Sequence, residues 1–180
     1  MKERSLHIAD IIQNSIVAGA SVVKVAIIED IKKNILKISV EDNGKGMSKE
    51  LLLSAADPFT TSRKTRRVGL GIPLFKQSAH RAGGDLSIKS SPGAGTMVMA
   101  TFVHDHIDRQ PLGDIAGTML CAIVSNSDTD FVYTHSVNSK SFVIDTKDLK
   151  NTLGIKSFSE PDVYIWIKNY FEERENEILN

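Results

Sequence analysis

Between Val22 and Glu41 the chain alternates twice with a period of two. "SVVKVAII" places Val23, Val25 and Ile27 on one side, and "ILKISVE" does the same with Leu36, Ile38 and Val40. A polar turn from Asp30 to Asn34 separates the runs, so they read as two hairpin-paired strands, each with one apolar face. The helical period comes just before them. Ile8, Ile11, Ile12, Ser15 and Ile16 fall at i, i+3, i+4, i+7 and i+8, a single stripe between a cap at Ser5 and a stop at Gly19. Helix followed by paired strands sets the class as α/β.

Beyond the second strand come a short helix in "SKELLLSAA", a loop dense in basic and small residues in "ADPFTTSRKTRRVGLG", and a helix in "IPLFKQSAHRAGG". That helix has Pro73 in its first turn and Gly83 past its end, the usual asymmetry of helix punctuation. "DLSIKSS" and "GTMVMATFV" are two more strands around a Pro-Gly turn. After residue 104 the pattern changes. "HDHIDRQPLGD" is a connector, "IAGTMLCAIV" fits a buried helix or a strand, and "DFVYTHS" with "SFVID" forms a hairpin. "TKDLKNTLG" is a short helix. The terminal helix carries a stripe of Val163, Trp166, Ile167 and Tyr170, with the two aromatics read as core. The expected organisation is residues 1–104 as one domain and 105–180 as a small α+β extension that caps it, dimerises or docks a partner.

Charge and composition exclude several roles. The 22 basic and 22 acidic residues cancel, which argues against a nucleic-acid or membrane-surface partner. No apolar run approaches the roughly 18 residues needed to span a bilayer. The start "MKERSLHIAD" lacks the apolar core of a secretory signal, and a lone cysteine, Cys121, suits a reducing compartment. The expected location is the cytoplasm.

Four stretches carry chemistry. Asp10 and Asn14 lie four apart on the first helix, so they share a face. A carboxylate there can orient water or accept a proton, and a carboxamide oxygen can ligate Mg²⁺. "DNGKGM" ends the second strand with Asp42, Gly44 and Gly46. The carboxylate can accept a hydrogen bond from an exocyclic amine such as adenine's, and the glycines leave room for a flat base. A hairpin turn is the competing reading, but a helix follows rather than a strand. In "RRVGLGIP", Gly69, Leu70 and Gly71 lead into a helix start, where backbone N–H groups and the helix dipole favour an anion. Arg63 and Lys64, with Arg66 and Arg67, lie just upstream. No Gly-Lys-Ser/Thr follows, so this is not a Walker loop. "GAGT" brings Thr96 into the last strand of the N-terminal half.

In this order and spacing, the stretches resemble the boxes of the GHKL ATPases, the superfamily of sensor histidine kinase catalytic domains, DNA gyrase and MutL. "DIIQNSIVAGAS" looks like the N box, "DNGKGM" the first glycine box, and "DPFTTSR" the phenylalanine box. "VGLGIPLFKQSAHRAGGDLSI" looks like the second glycine box, and "GAGTMVMATF" the last. The short lid is most similar to the histidine kinase branch. The resemblance implies a two-layer α/β sandwich binding ATP and Mg²⁺. Asn14 would ligate the metal, Asp42 would bind the adenine amine, and Gly44 and Gly46 would shape the base pocket. Arg63, Lys64, Gly69, Leu70 and Gly71 would meet the phosphates, Thr96 would sit near adenine, and Asp10 stands where gyrase-like and MutL-like members place a catalytic glutamate. Arg67 departs from the glycine that the lid often has. None of His7, His80, His104, His106 and His135 sits in a heptad hairpin, so each reads as an ordinary surface or core histidine. The implied activity is transfer of the γ-phosphate to a separate protein phosphoacceptor. The alternatives are a nucleotide-gated module of the anti-sigma type and an ATP hydrolase using Asp10.

Overall fold

A computed structural model describes residues 4–55 and 70–180. The first helix, α1 (Arg4–Val17), starts one residue before the expected cap, so Ser5 is buried inside it rather than closing it. The strands β1 (Val22–Asp30) and β2 (Ile35–Asp42) pair antiparallel, with Val25 opposite Val40 and Ile27 opposite Ile38. The short helix α2 (Lys49–Ala55) follows, and the chain is described again from Leu70 into α3 (Gly71–Arg81). Strands β3 (Leu86–Ser90) and β4 (Thr96–Val103) pair antiparallel, and β4 lies against β2.

"IAGTMLCAIV" resolves as a helix, α4 (Ile115–Ser125), whose N-terminus is capped by Asp114 accepting from the Gly117 N–H. It leads to β5 (Asp130–Val137) and β6 (Lys140–Asp145), an antiparallel hairpin turning at Asn138, whose φ is +53°. Then come α5 (Thr146–Leu153) and α6 (Pro161–Leu179). Strand β5 pairs in parallel with β1 over its whole length, Val22 with Asp130 through Glu29 with Val137. The result is one six-stranded sheet in the order β3-β4-β2-β1-β5-β6, continuous across residues 104 and 105.

Burial falls on one face of that sheet. Val23, Val25 and Ile27 of β1, Leu36, Ile38 and Val40 of β2, and Val98, Ala100 and Phe102 of β4 are buried, while their alternates are half-buried or exposed. Helix α1 lays Ile8, Ile11 and Ile12 onto this core between α3 and α4. At about 25 cal/mol for each Å² of apolar surface removed from water, this layer dominates the folding free energy. The last helix turns differently from its expected stripe. Ile167, Phe171 and Ile178 are buried, whereas Trp166 is 39% exposed and stacks on Tyr170 at 5.2 Å. The buried face is thus rotated by about one residue, and Trp166 is a surface residue.

Under the far end of β1 lies a buried polar cluster. Glu29 accepts from His104 (2.7 Å) and faces His135 Nε2 (3.1 Å), and the other ring nitrogen of His135 lies 2.7 Å from Glu175 of α6. The Tyr133 hydroxyl donates to Glu175 at 2.7 Å. Burial works against charging His135, but the hydrogen bonds and fields of Glu175 and Glu29 outweigh it and push its pKa up to about 9. Burial also disfavours the Glu29 carboxylate, yet the bonds from His135 and His104 hold its pKa below the usual value. Arg4 is fully buried over the Phe102 ring at 4.1 Å, and its guanidinium nitrogens have no hydrogen-bond partner among the described residues. Burial and then Arg109 lower its pKa to about 10, with Glu29 opposing them.

Candidate functional site

Where β2 ends, the backbone must leave the sheet without covering the space beneath α1. Asn43 holds that exit. Its side-chain oxygen accepts from the N–H groups of Ser21 and Val22, both at 2.9 Å, and its amide donates to Ser21 Oγ at 2.8 Å. Two glycines then allow close approaches that no side chain would. Gly46 has φ +68°, and a Cβ there would lie 1.9 Å from the Ser91 carbonyl oxygen. At Gly95, with φ +80°, a Cβ would lie 1.9 Å from the Asp42 carbonyl oxygen. The loops after β2 and before β4 therefore touch backbone to backbone.

The exit leaves a cavity of about 680 Å³ between α1, the β2–α2 loop and the start of α3. That volume is in the range of small-molecule sites. Ile11, Ile72 and Val98 give it apolar walls, and Asn14, Asp42 and Thr96 bring polar groups. Asp42 is fixed on both oxygens. Ser15 Oγ lies 2.6 Å from Oδ2, and the Gly44 N–H donates to Oδ1 at 2.9 Å. Thr96 stands directly opposite Asp42 in the β2–β4 register. Chemically, the cavity sets a carboxylate beside apolar walls, suited to a heteroaromatic ring bearing an amine.

Asn14, Asp42, Gly46 and Thr96 line one cavity, and Gly44 lies buried beside it, donating to Asp42. Asp10 projects from α1 at the edge, not among the lining side chains. A Cβ on Gly71 would come within 2.7 Å of the Asp10 Cβ, so α3 begins against this aspartate. Among the described residues no side chain caps the N-terminus of α3 at Leu70, and its first N–H groups have no intrahelical partner. Arg63, Lys64, Arg67 and Gly69 lie outside the described residues. Among the described residues no group of three or more His, Cys, Asp or Glu is placed to hold a metal ion. The terminal nitrogen of Asn14 is buried without a hydrogen-bond partner among the described residues, so turning its oxygen toward a ligand breaks no bond at that atom. This fits a Mg²⁺ ion held mainly by phosphates and water, with one protein oxygen.

None of the five histidines lines the cavity. His80 pairs with Asp85 at the surface, His7 stacks on Phe75, and His104 and His135 belong to the buried cluster. Three contributors escaped sequence reading. In the sequence Ser15 reads as part of the isoleucine stripe, Asn43 as part of a turn, and Ser90 as a strand end. A polar residue at a core position of an apolar stripe was the one available signal, at Ser15.

Residues 5–106 match the family described as "Histidine kinase-, DNA gyrase B-, and HSP90-like ATPase". An uncharacterized sensor-like histidine kinase of Rhizobium meliloti is 36% identical over 77 residues, which cover 40% of this chain and 15% of the relative. The tetrathionate sensor histidine kinase of Salmonella typhimurium is 32% identical over 115 residues, covering 62% of this chain and 19% of that one. The chain thus spans less than a fifth of the length of these curated relatives. Among solved structures, the MutL ATPase domain of Aquifex aeolicus, complexed with ADP, superposes with a TM-score of 0.53 at 12% identity, over 86% of this chain and 70% of that one. The N-terminal domain of a DNA repair protein gives a TM-score of 0.56 at 14% identity, over 80% and 52%. These two likenesses are of fold. Among the described residues no helix is long and apolar enough to cross a membrane.

Proposed function

The chain belongs to the histidine kinase-, DNA gyrase B- and HSP90-like ATPase family, and from that membership we propose that it binds Mg-ATP in the cavity beneath α1 and transfers the γ-phosphate to a separate protein in signalling. The observation that carries the reading is Asp42, a carboxylate fixed on both oxygens in a cavity with apolar walls. An adenine amine supplies the donor that such a carboxylate wants, and Ile11, Ile72 and Val98 supply the apolar contact for the ring.

Asn14 is the residue that would hold Mg²⁺, which when bound neutralises charge on the β- and γ-phosphates. The start of α3 at Leu70 and Gly71 takes the phosphates, and Gly69, Arg63 and Lys64, outside the described residues, are the other phosphate contacts of this reading. Phosphoryl transfer asks a protein mainly for positioning and charge neutralisation, so a docked acceptor is enough to complete the site. Residues 105–180 are the docking surface in this reading. A cytoplasmic location follows from the use of ATP and from the free, exposed Cys121.

A second reading is favoured by one contact. Asp10 lies against Gly71 at the α3 start, where it could orient a water toward the terminal phosphate of a bound nucleotide. The test follows the γ-phosphate of labelled Mg-ATP on wild type and on Asp10→Asn. Bound ATP left intact until a protein acceptor is added supports transfer. Free phosphate released by wild type and lost in the variant makes the protein a hydrolase instead. Intact ATP that only changes the affinity for a partner makes it a nucleotide-gated binding module. Asp42→Asn should weaken ATP binding at least about tenfold, and unchanged affinity would put the base elsewhere.

A further inference from the structure

The hydroxyls around the cavity floor can be assigned a direction. Asp42, Thr96 and Ser90 form one row across the ends of β2, β4 and β3, each directly opposite the next. A hydroxyl has one proton to give and two lone pairs to receive with. Ser90 Oγ donates to the Gly95 carbonyl at 2.9 Å and accepts from the Met47 N–H at 2.9 Å. Its proton is committed, so in the 2.8 Å contact between Ser90 and Thr96 it is Thr96 that donates. Thr96 Oγ1 then has only lone pairs left for the cavity.

Ser15 settles the other side. Its Oγ lies 2.6 Å from Asp42 Oδ2 and 3.2 Å from the Ile11 carbonyl, and one proton serves one of them. The shorter, charge-assisted bond takes it. With the Gly44 N–H on Oδ1, the carboxylate is held in one orientation as an acceptor.

We propose that Ser15 and Ser90 are positioning residues that make both polar groups at the cavity floor acceptors, so that the site selects a purine with an amine at position 6 over one with a carbonyl there. This rests on the ATP reading above and deepens it, because nucleobase choice becomes a matter of proton direction set by two serines. A 6-oxopurine would bring its carbonyl oxygen against lone pairs on both Asp42 and Thr96, and no proton in the row is free to turn toward it.

The experiment is titration calorimetry with Mg-ATP and Mg-ITP on wild type, Ser15→Ala, Ser15→Thr and Ser90→Ala, with thermal melts to establish folding. Wild type should prefer ATP by at least about tenfold, since one charge-assisted bond is exchanged for a repulsion. Ser15→Ala should bring the preference to within about threefold by weakening ATP alone, and Ser15→Thr, which keeps the hydroxyl, should retain it. Ser90→Ala frees the Thr96 proton to turn into the cavity, so it should move the ATP-to-ITP affinity ratio several-fold toward ITP. A purely structural role would weaken both nucleotides together. An unchanged ATP-to-ITP ratio in both alanine variants, or equal losses for both nucleotides, overturns the proposal alone. A folded wild type that binds neither nucleotide overturns the ATP reading, and this proposal with it.

Discussion

Replacing His135 with glutamine should abolish a loss of stability that the wild-type protein suffers in mildly alkaline solution. Both ring nitrogens of His135 face carboxylate oxygens, Glu175 at 2.7 Å and Glu29 at 3.1 Å, and only the imidazolium can donate at both. The charged groups around it come from every neighbouring element: Glu29 of β1, Tyr133 of β5, Glu175 of α6, His104 beyond β4 and, at longer range, Arg4 of α1. Glu29 is held below the usual carboxylate value and burial pushes Tyr133 upward, so neither titrates in the window that matters. His135 has its pKa raised from 6.5 to about 9. A raised value means that its contribution is fully present below pH 6.5 and lost as pH climbs through 9. Two and a half units at 1.36 kcal/mol each give about 3 kcal/mol. That is a large share of the roughly 5–15 kcal/mol that holds a typical domain together. Urea unfolding at several pH values from 6.5 to 9.5 should show the wild-type free energy falling by about that amount, at a constant denaturant slope. His135→Gln should start lower and stay nearly flat. A flat wild-type profile, or an unaltered slope in the variant, would refute the assignment of the proton to His135.

Three further substitutions test the frame. Gly46→Ala puts a Cβ against the Ser91 carbonyl at a φ that favours glycine, so it should cost about 1–3 kcal/mol in a melt and weaken nucleotide binding. Wild-type behaviour in both assays would mean that the loops after β2 and before β4 do not touch as described. Asn43→Ala removes the acceptor of the Ser21 and Val22 N–H groups and should cost about 1–2 kcal/mol, read by guanidinium unfolding. Arg4→Met replaces a buried guanidinium without hydrogen bonds by an apolar chain over Phe102 and should be neutral or stabilising by about 1 kcal/mol or more. A clear loss in the same unfolding assay would show that the charge over the ring outweighs its desolvation.

How much of this was legible depended on how local each determinant is. The paired strands β1 and β2 announce themselves by period, and Asp42 to Gly46 by a strand that exits into a helix. "IAGTMLCAIV" stayed ambiguous because it is apolar nearly throughout, and it packs against both α1 and α6. The stripe on α6 was read one residue off, since Val163, Trp166, Ile167 and Tyr170 satisfy helical spacing as well as Ile167, Phe171 and Ile178 do. The bonds from Glu29 to His104 and His135 join residues 75 and 106 apart, so nothing in the neighbourhood of either histidine hinted at a buried ion cluster. Ser15 was hidden for a related reason. It occupies a core position, and its polarity acquires meaning only when Asp42 arrives from 27 residues away.

The parallel pairing of β5 with β1 has a consequence for how this protein can be divided. Similarity to the family ends at residue 106, but the hydrogen bonding of β1 does not. A fragment cut there would leave Val22 to Glu29, the residues that β5 pairs with, with one row of N–H and C=O groups bare. Such an edge recruits any strand on offer, another copy first of all, and aggregates. The stretch that matches the family and the stretch that completes the sheet are therefore different lengths of chain. Transplanting residues 5–106 into another protein would require that the host supply a strand in place of β5.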